Sequence, residues 1–215
     1  MSVRERAVVA ALLDRAGRTY AEEAGIRLRN QPAPLYQLMV LATLLSARIS
    51  AAVATAAARE LFAAGFTTPQ KMHKATWQQR VDALGRGHYR RYDERTSTML
   101  GNAAGLVLER YGGDLRRLSA KAGDDRDQIR VLLTEFPGIG PVGADIFLRE
   151  VQGVWPWLRP FLDRRVIEGA RRLDLPTEPD ALVRLVSDED LPRFAAALVR
   201  VALDKKLADQ LKSAA

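Results

Sequence analysis

Apolar residues recur at helical spacing along nearly the whole chain. Val8, Ala11, Leu12 and Arg15 mark the period of a helix from Val3 to Tyr20. Gly25 to Pro34 reads as a connector, because Pro32 and Pro34 block helix continuation. Leu35 to Ser46 is apolar on every side, which marks a buried central helix. Ala51 to Ala64 is alanine-rich and stops at Gly65. Thr68, ahead of Pro69, and Thr76 are placed to cap two short helices. Arg95 to Tyr111 carries a stripe of Met99, Leu100, Ala103, Ala104, Val107, Leu108 and Tyr111, ended by Gly112 and Gly113. Asp114 opens a further short helix before Gly123. Residues 152–163 hold a glycine and two prolines and read as a loop. Arg164 to Leu173, Asp180 to Val186 and Leu191 to Leu211 complete the series. No alternating strand pattern and no internal repeat interrupts it, so the expected fold is all-α.

One stretch differs from the rest: Phe136-Pro137-Gly138-Ile139-Gly140-Pro141-Val142-Gly143-Ala144. An apolar face of Ile129, Leu132, Leu133 and Phe136 enters it. A second face of Val142, Ile146, Phe147 and Val151 leaves it. Glycines allow a left-handed backbone and close approach by another body. Pro141 suits the first helical position. Such a tight hairpin offers free amides at a helix start, a ready place for a phosphate oxygen. A glycine-rich connection that binds nothing has the same local sequence.

Composition narrows the chemistry. The 215 residues contain no cysteine, which excludes disulfides, thiolate zinc sites and cysteine-held iron–sulfur clusters. With only His73 and His88, a histidine metal site and a Ser–His nucleophile are poorly supported, and no metal or cofactor is expected. The net charge of +7 favours a polyanionic partner. Most of that charge is arginine, whose fork suits phosphate, although a base-composition bias in the gene gives the same excess. No run reaches the roughly 20 apolar residues of a membrane span. The charged start, Met1 to Arg6, reads as no signal peptide, so no membrane partner is expected.

Four short motifs stand in a telling order: Leu44-Leu45-Ser46-Ala47-Arg48, Gly87-x-Tyr89, the hairpin, and Leu162-Asp163 ahead of a helix. Together they resemble the helix-hairpin-helix DNA glycosylases of the endonuclease III type, best between Leu35 and Leu173. The resemblance implies two helical subdomains with a cleft between them. One would cover 31–140 and the other 1–30 plus 141–215. It implies that Gly138, Ile139, Gly140, Val142 and Gly143 grip a DNA backbone. Arg48, where the family has a glutamine, would fill the gap left by a flipped nucleotide. Arg164 and Arg165 are phosphate contacts or surface charge alike. Tyr36, Trp155 and Trp157 line a base pocket or pack in the core.

Asp163 taken alone is a helix cap; the resemblance makes it the catalytic carboxylate, stabilising positive charge at C1′ and guiding water. Val142 occupies the place of the lyase lysine, and the cluster cysteines are missing. What is implied is a monofunctional DNA N-glycosylase of base excision repair. It would be monomeric, cytoplasmic and nucleoid-associated, acting on double-stranded DNA with a flipped-out base. The alternatives are a catalytically inactive DNA-binding protein that recognises damaged or bent duplex, and a helical protein–protein module.

Overall fold

The computed structural model describes residues 2–213, and every regular element among them is helical. The fold is all-α, as expected. No helix among the described residues is long and apolar enough to cross a membrane. The chain divides into two compact units. One runs from Ala21 to Leu148; the other joins the residues up to Tyr20 with those from Arg149 onward. Residues 21–30 and 141–148, expected with the terminal helices, therefore group with the middle of the chain.

The first helices are α1 (Val3–Ala16) and the single-turn α2 (Tyr20–Glu23). The middle unit is built on α3 (Pro32–Leu45), buried from Leu35 to Leu44 at every position except Gln37. This helix begins three residues earlier than expected. Pro32 and Pro34 sit in its first turn, where a missing N–H breaks no bond, so they start the helix rather than block it. Against it lies α4 (Ala51–Ala63), capped by Ser50. Next come α5 (Pro69–Lys74), capped by Thr68, and α6 (Trp77–Arg86), where Thr76 and Gln79 form a capping box. The long α7 (Asp93–Tyr111) starts two residues before its expected position and ends on left-handed Gly112. The short α8 (Arg116–Ala122) follows, then α9 (Arg126–Thr134), whose Asp125 cap accepts the amides of Asp127 and Gln128.

Arg80, only 8% exposed, ties this unit together. It donates to the carbonyls of Met72, Ala75 and Ser97 at 3.1, 2.6 and 2.9 Å. Burial lowers its pKa. Gly87 has a packing reason: a Cβ there would lie 2.3 Å from the Ala57 Cα on α4. Tyr89, two residues on, is 1% exposed and shares a hydrogen bond with Thr96.

The helix α10 (Pro141–Val151) runs past the end of the middle unit. The terminal unit contains α11 (Arg164–Arg172), α12 (Pro179–Val183), α13 (Leu191–Leu203) and α14 (Lys205–Ser213). The expected single helix from 191 to 211 is broken at Asp204, which turns to cap α14 through the amides of Lys206 and Leu207. The stretch 152–163 is a loop with one 3-10 turn at Pro156–Leu158. In this unit α11 crosses α13 at Gly169, where a Cβ would fall 1.9 Å from the Leu198 carbonyl oxygen. Only a bare Cα fits, and Asp163, at the head of α11, is positioned through that crossing. Gly169→Ala should destabilise the protein by at least about 2 kcal/mol, a typical cost of overpacking, read as a lower urea midpoint.

Candidate functional site

The hairpin is fixed from inside. Phe136 and Ile139 are 2% and 3% exposed, and the Ile139 amide donates to the Phe136 carbonyl at 3.0 Å. Between them Gly138 takes φ +90°, and a Cβ there would meet Thr43 Cγ2 at 2.9 Å. Ser46 Oγ donates to the carbonyls of Thr43 and Gly138, at 2.7 and 3.4 Å, and so binds the turn to the end of α3. The outer rim is Gly140, Pro141 and Val142, all exposed, Val142 at 62%. The first backbone bond of α10 runs from the Ala144 amide to the Gly140 carbonyl. The amides of Val142 and Gly143 come before that ladder begins. Of the expected hairpin contacts, Gly140 and Val142 face solvent and Gly138 is half-buried. Ile139 and Gly143 point inward: Ile139 is an anchor, and Gly143 packs against Ile139 and Ser46.

Beside the hairpin lies a cavity of about 650 Å³. Phe136 to Gly140 form one wall. Thr43, Ser46, Arg48, Tyr92, Arg95 and Met99 form much of the remainder. Arg48 and Arg95 are exposed, and neither makes a hydrogen bond or ion pair among the described residues. Glu135 also lines the cavity, but it is paired with Arg110.

In the terminal unit Asp163 caps α11. Its Oδ1 accepts the amides of Arg165 and Val166 at 2.8 and 3.1 Å. Its Oδ2 accepts from Arg149 Nη1. The two paired side chains are 5% and 4% exposed, so little of the carboxylate is open. Arg149 keeps one buried donor, Nε, without a partner. The loop leading to Asp163 is pinned as well. Gln152, fully buried, exchanges two hydrogen bonds with the backbone of Phe161, at 3.2 and 3.0 Å. Arg159 donates to the carbonyls of Gln152 and Gly153 at 2.7 and 2.9 Å.

No protein-family model matches the chain, and no curated protein matches it. Solved structures do, two of them as follows. One is a non-covalent endonuclease III–DNA complex, 18% identical, covering 89% of this chain and 79% of that one with a TM-score of 0.53. The other is a trapped endonuclease III–DNA covalent intermediate, an estranged-adenine complex, at 18% identity, 93% and 85% coverage and a TM-score of 0.50. The chain has the endonuclease III fold.

Within the endonuclease III fold of this chain, the expected base-pocket residues stand as follows. Tyr36 is 1% exposed in the core around α3 and offers no face to a base. Burial pushes its phenol pKa far above the ordinary value, and its hydroxyl has no partner. Trp155 is 3% exposed and stacks on Trp157 at 6.2 Å; only Trp157 is half-buried. Arg164 and Arg165 are exposed, with Arg165 held to Glu168 at 3.1 Å. Sequence reasoning missed Arg149, Tyr92, Arg95 and Met99. The arginine-rich turn before Tyr92 was the one available signal; nothing local marks Arg149.

Removing one member of a buried ion pair strands the other. Arg149→Leu and Asp163→Asn should each destabilise the protein by about 3 kcal/mol. The double variant should recover part of that loss, and a double-mutant cycle of urea unfolding curves measures the coupling.

Proposed function

We propose that this chain binds duplex DNA, with the hairpin rim on a phosphate and Arg48 beside the opened strand. The observation that carries the reading is the arrangement around the turn. Two buried anchors hold a glycine turn so that its rim and an unpaired guanidinium border one cationic cavity. Helix-start amides favour an anion, and a free arginine fork suits phosphate. DNA is the partner in the endonuclease III complexes of the same fold. Asp163, on this reading, is a structural residue: its carboxylate serves a helix cap and a buried ion pair.

A second reading is kept by one observation: Asp163 stands at a helix start downstream of the hairpin, in this fold. The chain would then be a monofunctional N-glycosylase that removes a damaged or mispaired base. The base leaves with the bonding electrons of the glycosidic bond. Positive charge builds at C1′, Asp163 stabilises it, and water adds there while losing a proton. Val142 cannot act as an amine nucleophile, so no Schiff base forms. This chemistry requires Arg149 to release the carboxylate.

One experiment separates the two. Duplexes carrying a panel of lesions and mispairs are incubated with the protein, then treated with hot alkali. Strand breaks that appear only after alkali establish base excision; salt-dependent binding without breaks establishes the binder. Binding has its own tests. Arg48→Ala should reduce the slope of log K against log[salt] by about 0.9, one phosphate contact. Gly140→Asp meets no neighbour within 4 Å and puts a favoured cap residue at the head of α10. Its melting temperature should hold or rise while duplex affinity falls at least about tenfold, since the new carboxylate takes the phosphate's place.

A further inference from the structure

A second cavity, of about 310 Å³, opens where the start of α3, the start of α5 and the turn after α7 meet. It stands at the other end of two helices from the hairpin. The helix α3 reaches the hairpin cavity with Thr43 and this one with Pro32; α7 reaches the first with Met99 and the second with its Gly112 cap. At the helical rise, roughly 15–20 Å separates the two. Two polar side chains line the second space. Arg117 Nη1 and Gln70 Nε2 lie 2.5 and 2.7 Å from where a Cβ on Gly112 and on Gly113 would fall. Both glycines have positive φ, +59° and +83°, so the turn itself also asks for glycine; its bare backbone then admits both donors. Neither Arg117 nor Gln70 makes a hydrogen bond or ion pair among the described residues. The carboxylate on the wall is already engaged: Asp114 accepts from Arg116 Nε and Nη2 at 2.6–3.0 Å. That pair cancels, and Arg117 leaves one net positive charge. Pro32, Ala33 and Pro69 give the space an apolar side.

We infer that this second cavity binds the carboxylate of a small apolar acid, its oxygens on the Arg117 fork and the Gln70 amide and its apolar body against Pro32 and Pro69. A guanidinium fork matches the plane and spacing of a carboxylate. One uncancelled charge suits a monoanion; a phosphomonoester carries nearly two at neutral pH and would remain half-covered. The volume is at the lower end of the small-molecule range, which limits the acid to about one ring. Such a carboxylate comes from a free acid or from the carboxyl end of another chain, with the same head group in both. The inference does not depend on DNA binding, since the two cavities share helices but no lining residue.

The test titrates benzoate, and its neutral counterpart benzamide, into isotope-labelled protein and follows amide shifts by NMR. Benzoate should move the Gly112 and Gly113 amides and the Gln70 side-chain amide, saturating in the millimolar range. Benzamide should bind about tenfold or more weakly, because the charge-assisted pair is gone. Arg117→Leu should weaken benzoate by a similar factor, and Gln70→Ala by about threefold; both positions are exposed. Circular dichroism checks that the variants fold, and if Arg117→Leu does not, Gln70→Ala decides. N-acetylphenylalanine stands for a chain end, so whichever acid binds more tightly names the source. No saturating shift at these residues with either acid overturns the site. So do equal responses to benzoate and benzamide, and undiminished binding by the deciding variant. A response of the same amides to duplex DNA that benzoate cannot displace also overturns it, by making this surface part of the DNA contact.

Discussion

The hairpin depends on the burial of two apolar side chains three residues apart. Phe136 and Ile139 both enter the core, and the chain between them has room for one arrangement. That arrangement requires a left-handed residue at 138, where neither a Cβ nor the usual φ is tolerated. Once the anchors are in, the next residues must turn outward, and Pro141 commits them to a helix. The exposed rim is thus the outer face of a hydrophobic constraint. Ser46 joins the turn to α3, whose continuation carries Arg48, so the guanidinium and the rim are set by one piece of core.

Fold and chemistry pull apart at Asp163. The sequence motifs give a reason to look for a carboxylate at the start of the helix, and the helix is there. The surroundings describe a different use. Two amides and a guanidinium take up the oxygens, and the loop leading in is held by Gln152 and Arg159. A carboxylate so engaged stiffens a junction well; opposing a developing cation asks for one that faces the substrate. A fold hosts different activities according to what stands beside such a residue, and here that neighbour is Arg149.

Periodicity carried most of the architecture. The helical stripes, the caps at Thr68 and Thr76, and the inward place of Phe136 were legible, because each depends on neighbours within a turn or two; Ile139, expected against DNA, is an anchor instead. The misreadings have a common cause. Pro32 and Pro34 are ambiguous from one side: proline ends a helix or begins one, and only the following core decides. Asp204 looked like an ordinary polar position until a backbone break made it a cap. Tyr36 belongs to the face of α3 that is covered by other helices. Arg149 meets Asp163 from fourteen positions away in sequence, a distance at which local pattern says nothing. Gly87 and Tyr89 were read through family likeness, and packing alone accounts for both.

Several arginines in this chain bind its own backbone. Arg80 holds carbonyls of Met72, Ala75 and Ser97, Arg159 holds two in its loop, and Arg193 and Arg200 donate to Gly17 and Ala16 at the end of α1. A planar fork reaches several oxygens at once, which an ammonium on a flexible stem does not. Donation to neutral carbonyls leaves each guanidinium its charge, so the same groups build the isoelectric point near 10 and fasten the backbone. Charge and architecture are not separable here: a lysine-for-arginine recoding that left the titration curve almost untouched would strip the mortar from between the helices.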